Sequence, residues 1–535
     1  MKKLSFMDNA FLLAETRETP MHVGGINLFT LPDGVNEQVF MNQLAENLRS
    51  AQEFQSPFGD KLKMGRLGAM GPSYWERDDN LDIDYHIRHS ALPKPGRYRE
   101  LFALVSRLHG TLLDRNRPLW ETHLIEGLQD RQFAVYSKYH HAAVDGVRSI
   151  HLTQSMYSNS EKTRIHHSPL SLEAGERYRE AMERLQSSAP SDAEVRNVAD
   201  ALKARYDSGA HILGAVRKAA DTWLGRPSAL SLPWMDVPST SINTPVDGAR
   251  RFVAQSWPFE RIRAVGKAFD GTFNDAILAM CAGALRMYLE SQGELPAKSL
   301  KAMVPISLRR PGDLDSSNAV GTISADLATN ISDPLKRFSA IQDSMRAGKE
   351  LFDNMSMAEA QLFITATQLP GLLLIPLGLI SRFPPYSTVI SNVPGPRQPM
   401  YWNGARLEGI YPASIVSEGM ALNITLVTYD ENVDFGIVAC RRSLPQVQRI
   451  IDYLEDALVE LEVALGMTST GAGTAPGAKA KPKMKAKPKA KAAPKAKAKP
   501  KAAPKAKAKP KHRAAPKSKA KVAVKAKSTR RSTVG

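Results

Sequence analysis

The chain has 535 residues and a formal net charge of +18 at pH 7, but the charge is unevenly distributed. From residue 478 to the C-terminus there are 23 Lys plus Arg and no Asp or Glu, which leaves 49 basic against 54 acidic residues elsewhere. The sequence therefore describes a mildly acidic globular body with a strongly basic tail. Only two cysteines occur, Cys281 and Cys440, which excludes a disulfide framework and a thiolate-rich metal site.

No segment of the body has the pattern of a membrane span. The N-terminus reaches Asp8 and Glu15 before any long apolar run, so no signal peptide is predicted. The most apolar stretch, residues 369–380, contains two prolines and is too short to cross a bilayer. Two interpretations of this stretch stay open: a buried core or apolar loop segment, or an interfacial element that contacts lipid.

Apolar periodicity predicts two amphipathic helices early in the chain, at residues 40–48 and 98–113. Residues 120–125 and 132–139 are typical of strands, separated by turn-forming residues at 127–130. Residues 161–228 are polar and rich in Glu, Arg, Ala and Ser, which favours a helical connector between two lobes.

Both types of element resume after residue 251. A helix is predicted at 274–290 and a final amphipathic helix at 445–465, with strands at 301–307, 387–392, 423–429 and 433–439. The predicted fold class is therefore α/β or α+β, in two lobes of similar size. We expect an N-terminal lobe at 1–185, a helical connector at 186–245 and a C-terminal lobe at 246–467.

From residue 468 the composition collapses to Lys, Ala and Pro. Like charges repel, proline disfavours helix and nothing apolar is available to bury, so residues 468–535 are predicted to be disordered. The tail has no aromatic side chain for base stacking, so any binding to DNA or another polyanion would be non-specific and salt-sensitive. A solubilising appendage and contact with an anionic membrane surface are the alternatives.

Residues 140–146 read HHAAVDG and follow the strand predicted at 132–139. Successive strand residues point to opposite sides, so one imidazole is expected in an active site and the other packed behind it. An imidazole with a pKa near neutrality suits general base catalysis. Two hydrogen-bonded histidines at a strand end, without chemistry, are the commoner alternative for an arbitrary His-His pair.

The HHAAVDG segment resembles the HHxxxDG signature of CoA-dependent acyltransferases of the chloramphenicol acetyltransferase type and of peptide-synthetase condensation domains. Further segments resemble those of the bacterial wax ester synthase/diacylglycerol acyltransferases, in the family's order. They are MHVGG at 21–25, RPLWE at 117–121, TFND at 272–275, VPISLR at 304–309, NAVG at 318–321 and SNVPGP at 391–396. The resemblance covers the body to about residue 465 and does not cover the tail.

The resemblance implies two chloramphenicol-acetyltransferase-like lobes, each a mixed β-sheet flanked by helices, with an active-site channel between them. It also implies O-acyl transfer from a long-chain acyl-CoA to the hydroxyl of diacylglycerol or a fatty alcohol. His141 is then the general base and His140 a supporting residue. An alcohol needs such a base, whereas the CoA thiolate is a good leaving group.

For Asp145 and Asn274 more than one role remains open. Asp145 is expected to be structural, with Arg309 as a candidate partner, and a triad role orienting the imidazole is the alternative. Asn274 is a candidate to stabilise the oxyanion or to position His141. Its alternative role is that of an N-cap for the helix that begins there, which Thr272 could also provide.

The sequence shows no metal-ligand arrangement and no phosphate loop, so no cofactor is expected beyond acyl-CoA as co-substrate. The expected location is cytoplasmic, peripherally associated with the inner membrane or with lipid inclusions. A non-catalytic lipid-inclusion or nucleoid-associated protein that keeps the fold is the rival hypothesis. Condensation chemistry with an amine acceptor is disfavoured because no carrier or adenylation region is present. The sequence does not decide the preferred acceptor, the acyl chain length or the oligomeric state.

Overall fold

The computed structural model describes most of the body of the chain. The described residues are 2–65, 71, 73–144, 156–168, 170–176, 217–218, 221–222, 228–307, 320–352, 355, 357–374 and 377–467. The tail predicted at 468–535 lies outside the described residues, as does the domain boundary predicted at 185. The division into domains therefore stays a prediction.

The bounds of the elements follow in chain order. The N-terminal half contains β1 (Lys2–Lys3), α1 (Phe6–Ala14), β2 (His22–Thr30), α2 (Glu37–Arg49), β3 (Asp60–Met64), β4 (Ser73–Arg77), α3 (Ile83–His86), β5 (Ile87–Ala91), α4 (Tyr98–His109), β6 (Trp120–Glu126) and β7 (Gln132–His140). The C-terminal half contains β8 (Arg250–Pro258), α5 (Phe259–Ala268), α6 (Phe273–Ser291), β9 (Lys301–Ser307), β10 (Val320–Asp326), α7 (Pro334–Glu350), α8 (Met357–Leu374), β11 (Thr388–Pro394), β12 (Tyr401–Trp402), β13 (Ala405–Ala413), β14 (Leu422–Tyr429), β15 (Asn432–Cys440) and α9 (Gln448–Ala464).

Two six-stranded sheets organise the described residues. The first has the strand order β12–β13–β2–β7–β6–β5, and the second has the order β10–β9–β11–β14–β15–β8. Strands β5 and β6 are parallel in the first sheet, and β11 is parallel to both of its neighbours in the second. The other pairs in both sheets are antiparallel, so the predicted fold of two lobes with mixed sheets is confirmed. A small sheet of order β1–β4–β3 holds the N-terminus.

Side-chain caps fix where several helices begin. The Asn36 side chain accepts a hydrogen bond from the Val39 N–H at the start of α2, at 3.1 Å. Asp333 caps α7 in the same way, and Pro334 follows it at the first helical position, where no N–H is needed. Local sequence therefore sets these helix boundaries before any tertiary contact forms.

The predicted helices at 40–48, 274–290 and 445–465 are confirmed as α2, α6 and α9. The helix predicted at 98–113 ends earlier, at His109, because Gly110 forms its C-cap. The six strands predicted from alternation are confirmed as β6, β7, β9, β11, β14 and β15. Strand β2 was not among the predicted strands. The greater part of the helical connector predicted at 161–228 lies outside the described residues.

The apolar stretch at 369–380 is helical as far as Leu374, where α8 ends. Leu369 and Leu377 are 52% and 68% exposed, so this stretch is not simply a buried core segment. No helix among the described residues is both long enough and apolar enough to cross a membrane.

Strand β13 comes from the C-terminal half of the chain but pairs with β2 in the first sheet. Its register shifts between Leu407 and Gly409, and Asp434 of β15 accepts a hydrogen bond from the Ile410 N–H at 2.7 Å. Ser256 Oγ donates to the same carboxyl group at 2.6 Å. Burial raises the pKa of Asp434 to about 7. A buried carboxyl of the second lobe thus fixes the strand that crosses into the first.

The core has layers on both faces of the first sheet. The outer face packs against α2 through Phe29, Phe133 and Leu44. The inner face, with Ile26 and Tyr136, belongs to a larger buried cluster that also includes α4 and the second lobe. His140 ends β7 on this inner face, and His141 follows it in the turn.

Candidate active site

The two adjacent histidines at the end of β7 have different surroundings. His140 is the last residue of the strand, lies opposite His22 of β2 and is fully buried. His141 begins the following turn and is partly exposed. The His141 N–H donates to the Met21 carbonyl at 2.9 Å, and the Ala143 N–H donates to the His140 carbonyl at 2.9 Å. The turn therefore separates a buried imidazole from a more accessible one.

One ring nitrogen of His140 accepts a backbone hydrogen bond, and the other faces a carboxylate without forming a hydrogen bond of normal geometry. The Ala142 N–H donates to Nδ1 at 3.1 Å, and Nε2 lies 3.4 Å from Oε1 of Glu15. Because Nδ1 accepts, the proton of the neutral ring sits on Nε2 and faces the carboxylate. His140 thus holds the turn through Nδ1.

Glu15 was not predicted as a site residue. Its side chain is 2% exposed and accepts hydrogen bonds from the Met21 N–H at 3.1 Å and from Arg115 Nε at 3.1 Å. Burial alone would raise the pKa of Glu15, but its interactions with His140, the Met21 N–H and Arg115 lower it below its ordinary value. Glu15 is therefore a buried carboxylate behind the motif.

The ring of His141 stacks on Phe11 of α1. The two ring centroids are 4.0 Å apart, and the planes are inclined by 20°. The stack fixes the plane of the imidazole while His141 stays partly exposed. An imidazole so placed can accept a proton from a hydroxyl group that approaches it.

The RPLWE segment supports the same turn. The His140 N–H donates to the Leu119 carbonyl at 3.0 Å, and the Leu119 side chain packs in a buried cluster with Ala142. The Trp120 indole is 1% exposed, and its N–H donates to the Phe58 carbonyl at 2.9 Å. These contacts place the segment in the packing behind the histidines.

The MHVGG segment forms the start of β2, directly beside the end of β7. A Cβ atom on Gly24 would lie 2.2 Å from the Ser137 carbonyl oxygen, a distance that no side chain tolerates. Glycine at this position therefore allows the close approach of β2 to β7 that sets His22 opposite His140.

Ionisable groups line the inner face of the first sheet below His140. Lys138 Nζ is fully buried and donates to the carbonyls of Leu108 and Thr111 at 3.1 and 2.9 Å. Burial lowers the pKa of Lys138, and Glu121 counteracts part of that effect. Burial raises the pKa of Glu121, but His123 and Lys138 oppose this and the net shift is downward. Lys138 thus satisfies carbonyls at the C-terminal end of α4.

Two further histidines continue this layer. His22 Nε2 donates to the His109 carbonyl at 2.7 Å, and His109 Nε2 donates to the Ser414 carbonyl at 3.0 Å. The Tyr136 hydroxyl then donates to His109 Nδ1 at 2.8 Å. Burial lowers the pKa of His109 to about 3 and that of His22 well below its ordinary value. Both rings are neutral supports, and His109 joins α4 to the end of β13.

Asn274 lies in the first turn of α6, in the second lobe. The N-cap of this helix is Thr272, whose side chain accepts a hydrogen bond from the Asp275 N–H at 3.2 Å. Asp275 in turn accepts from the Thr272 N–H at 2.8 Å. Thr272 and Asp275 therefore carry the capping role that was the alternative for Asn274.

The predicted acid and its candidate partner, Asp145 and Arg309, lie outside the described residues, as does Gly146. The site that is described thus consists of His141 with its supports His140, Glu15 and Phe11. The sequence carried no signal for Glu15, because a single acidic residue at a helix end is common and its partners are distant in the chain.

Comparison with known protein families gives matches to one family over most of the body of the chain. The family description "wax ester synthase/diacylglycerol acyltransferase catalytic domain" matches residues 4–277, and the C-terminal domain of the same family matches residues 316–462. A Mycobacterium tuberculosis protein named probable diacylglycerol O-acyltransferase tgs2 is 42% identical over 480 residues, which are 86% of this chain and 98% of that protein.

Two other relatives extend the comparison. The O-acyltransferase WSD of Acinetobacter baylyi is 37% identical over 460 residues, which are 86% of this chain and 96% of that protein. A solved structure of a wax ester synthase/diacylglycerol acyltransferase from Marinobacter aquaeolei is 38% identical, with a TM-score of 0.69. The match covers 87% of this chain and 100% of that one.

Proposed function

The chain belongs to the wax ester synthase/diacylglycerol acyltransferase family, and we propose that His141 is the general base of its acyl transfer reaction. The reaction moves a long-chain fatty acyl group from acyl-CoA to the hydroxyl of diacylglycerol or a fatty alcohol, forming triacylglycerol or wax ester. The observation that carries this assignment is the unequal placement of the two imidazoles. His140 is fully buried, with Nδ1 hydrogen-bonded to the turn and Nε2 against the Glu15 carboxylate, whereas the residue His141 is partly exposed and its ring stacks on Phe11.

The proton balance of the reaction needs only one base. His141 accepts the hydroxyl proton as the oxygen attacks the thioester carbonyl, and the carbonyl electrons move onto its oxygen. When the tetrahedral intermediate collapses, the carbon–sulfur bond breaks and the imidazolium returns the proton to the CoA thiolate. The products are an ester and CoA, and no acyl-enzyme is formed.

The oxyanion of that intermediate needs a hydrogen-bond donor. Asn274 is proposed for this role, or for positioning His141, because an amide N–H₂ donates without changing its charge. The capping of α6 by Thr272 supports this assignment, since Asn274 is not required as the N-cap. Asp145 is proposed to shape the loop after the histidines, with Arg309 as its partner.

The test of the function is an acceptor panel. The purified protein is incubated with palmitoyl-CoA and a series of fatty alcohols or diacylglycerols, and both CoA release and the ester product are measured. Turnover that depends on the acceptor supports the acyltransferase and ranks the two acceptor classes. Folded protein without turnover on any of them would favour the rival hypothesis of a non-catalytic protein on lipid inclusions.

Peripheral contact with a membrane or with lipid inclusions is proposed through four exposed apolar side chains on α8 and in the segment after it, here called the ridge: Leu362, Leu369, Leu377 and Phe383. These side chains are 52–68% exposed. From residue 360 to 381 the sequence has no charged residue. A lipid acceptor that scarcely dissolves in water has to be reached at a lipid surface, and such a ridge suits shallow insertion there.

Vesicle sedimentation tests the ridge. Aspartate at Leu369 and Leu377 together is expected to weaken binding to phosphatidylcholine vesicles that contain diolein by at least about tenfold, since charges resist insertion and this uncharged surface does not attract the basic tail. The matched control is Ser339→Asp on the exposed side of α7. Equal binding by the ridge variant and the control would exclude the ridge as the contact.

The basic tail, which lies outside the described residues, is proposed to bind DNA or another polyanion non-specifically. A chain ending at residue 467 is expected to lose retention on a DNA column at low salt, whereas the full chain is retained. Equal retention of both chains would exclude this role of the tail.

A further inference from the structure

One helix contacts both histidines of the motif. Phe11 within α1 stacks on His141, and Glu15, the C-cap residue of the same helix, faces His140. The helix is in turn held by the Arg115 guanidinium, which donates to the Leu12 carbonyl at 2.7 Å. The N-terminal segment is therefore part of the wall around the motif.

We propose that Glu15 is a positioning residue for acyl transfer: its carboxylate fixes the ring of His140 and, through the backbone of Met21, the placement of His141. The proposal rests on the role of His141 given above. It concerns a residue that does not touch the substrate and acts only through its neighbours.

The Met21 peptide groups form the link to His141. The Met21 N–H donates to Glu15 Oε1 at 3.1 Å, and the Met21 carbonyl accepts from the His141 N–H at 2.9 Å. Glu15 thus acts on His140 through its side chain and on His141 through one intervening residue. A shift of the carboxylate would be transmitted to both rings.

The geometry requires a carboxylate rather than an amide. Oε1 accepts from the Met21 N–H and faces His140 Nε2, and Oε2 accepts two hydrogen bonds from Arg115, at 3.0 and 3.1 Å. An amide N–H₂ in place of either oxygen would point a donor at other donors. Glutamine therefore fits the space but cannot reproduce the hydrogen bonds.

The charge of Glu15 also selects the tautomer of His140. An anion facing Nε2 favours the form with the proton on that nitrogen, which leaves Nδ1 free to accept from the Ala142 N–H. The opposite tautomer would set an N–H against that backbone N–H and open the turn. Because the turn presents His141, the orientation of the base depends on the charge of Glu15.

Glu15→Gln tests the proposal. A displacement of a reacting group by about 1 Å costs on the order of 100-fold in rate, so we expect kcat to fall roughly 10- to 100-fold. The KM for palmitoyl-CoA is expected to stay within about twofold, because Glu15 does not contact the substrate. A kcat within twofold of the unaltered protein would overturn the proposal, and so would a rise in KM that accounts for the whole loss.

Two further variants complete the experiment. Glu126→Gln is the matched control, because Glu126 also faces a histidine, with Oε2 lying 3.2 Å from His89 Nε2 on another strand. An equal loss of kcat there overturns the proposal. If Glu15→Gln does not fold, Glu15→Asp replaces it: a tenfold lower kcat supports the proposal and an unchanged kcat overturns it.

Failure of the positioning role of Glu15 can be distinguished from failure of the general-base role of His141. If His141→Ala keeps full activity, the proposed function of His141 fails first. If His141→Ala is inactive while Glu15→Gln is fully active, only the positioning role of Glu15 fails.

Discussion

The end of β7 and the turn that follows it place the same kind of side chain in opposite environments. In the strand, His140 is buried, its Nδ1 accepts from a backbone N–H and its Nε2 faces a carboxylate. In the turn, His141 stacks on one aromatic ring and stays partly exposed. The difference shows that two adjacent histidines in one motif need not have the same role. One histidine holds the turn from a buried position, and the other lies in the turn and is partly exposed.

The largest effect that tests this difference is expected from His141→Ala. Loss of a general base lowers kcat by about 10²- to 10⁴-fold, and loss of the stack with Phe11 costs only about 1 kcal/mol of stability. Acyl transfer from palmitoyl-CoA and urea unfolding measure the two quantities. His166→Ala, at an exposed histidine of the same lobe, is the control. Activity of His141→Ala within tenfold of the unaltered protein would contradict the assignment.

The same separation of reacting and supporting residues is predicted at the start of α6. Asn274→Ala is expected to lower kcat by about 10²- to 10³-fold if its amide stabilises the oxyanion. Thr272→Ala removes the N-cap and is expected to cost about 1 kcal/mol of stability with little change in kcat. Kinetics and urea unfolding of both variants decide the roles. Reversed results would make Asn274 the structural residue.

A smaller effect on rate, but a clear one on stability, is expected from His140→Ala. The substitution leaves the buried Ala142 N–H without its acceptor and opens a cavity beside Glu15, and an unsatisfied buried donor alone costs about 1–3 kcal/mol. The free energy of unfolding should therefore fall more in His140→Ala than in His141→Ala. Equal losses in the two variants would remove the contrast between the buried and the partly exposed histidine.

The smallest expected effect is a change in the free energy of unfolding with pH. The folded protein keeps His109 neutral, with a pKa of about 3, while an unfolded chain binds a proton near pH 6.5. Stability should therefore fall as the pH drops below about 6.5, whereas this group contributes no pH dependence above it. Glu15 and Glu121, with lowered pKa values, add their losses only below their ordinary value of 4.5.

Urea unfolding between pH 6.5 and 4.5 is compared in the unaltered protein and in His109→Gln, because buried His22, His86 and His123 also have lowered pKa values and contribute to both proteins alike. His109→Gln keeps a donor and an acceptor but does not titrate, so its stability should change less over this interval. An identical slope in both proteins would contradict the prediction.

Regular periodicity made much of the fold predictable. Helices α2, α6 and α9 and strands β6 and β7 have clear patterns and were placed within a few residues. Strand β2 was missed because Gly24 and Gly25 weaken its strand signal, and β13 because it contains Gly409 and Pro412. Helix α8 was not predicted because it is apolar on nearly every side, so it has no amphipathic periodicity, and because it contains a proline.

The candidate site was predictable only where residues are neighbours in sequence. Strand alternation is enough to expect that His140 and His141 have different environments. The partners of His140 come from two segments distant in the chain, which carry Glu15 and Leu119, and Arg115 of the second segment holds Glu15. No local pattern connects those segments, since their meeting depends on how β2, β7 and α1 pack. That part of the site required the folded structure.

The crossing of β13 has a consequence for the biosynthesis of the protein. The free edge of β2 is completed only by residues 405–413, which leave the ribosome long after β2, β5, β6 and β7. Until then an unpaired strand edge is exposed, which is a hazard for aggregation. We expect the first lobe produced alone to be poorly soluble. The two lobes are in this sense one folding unit, because the first sheet cannot be completed until β13 of the C-terminal half has been synthesised.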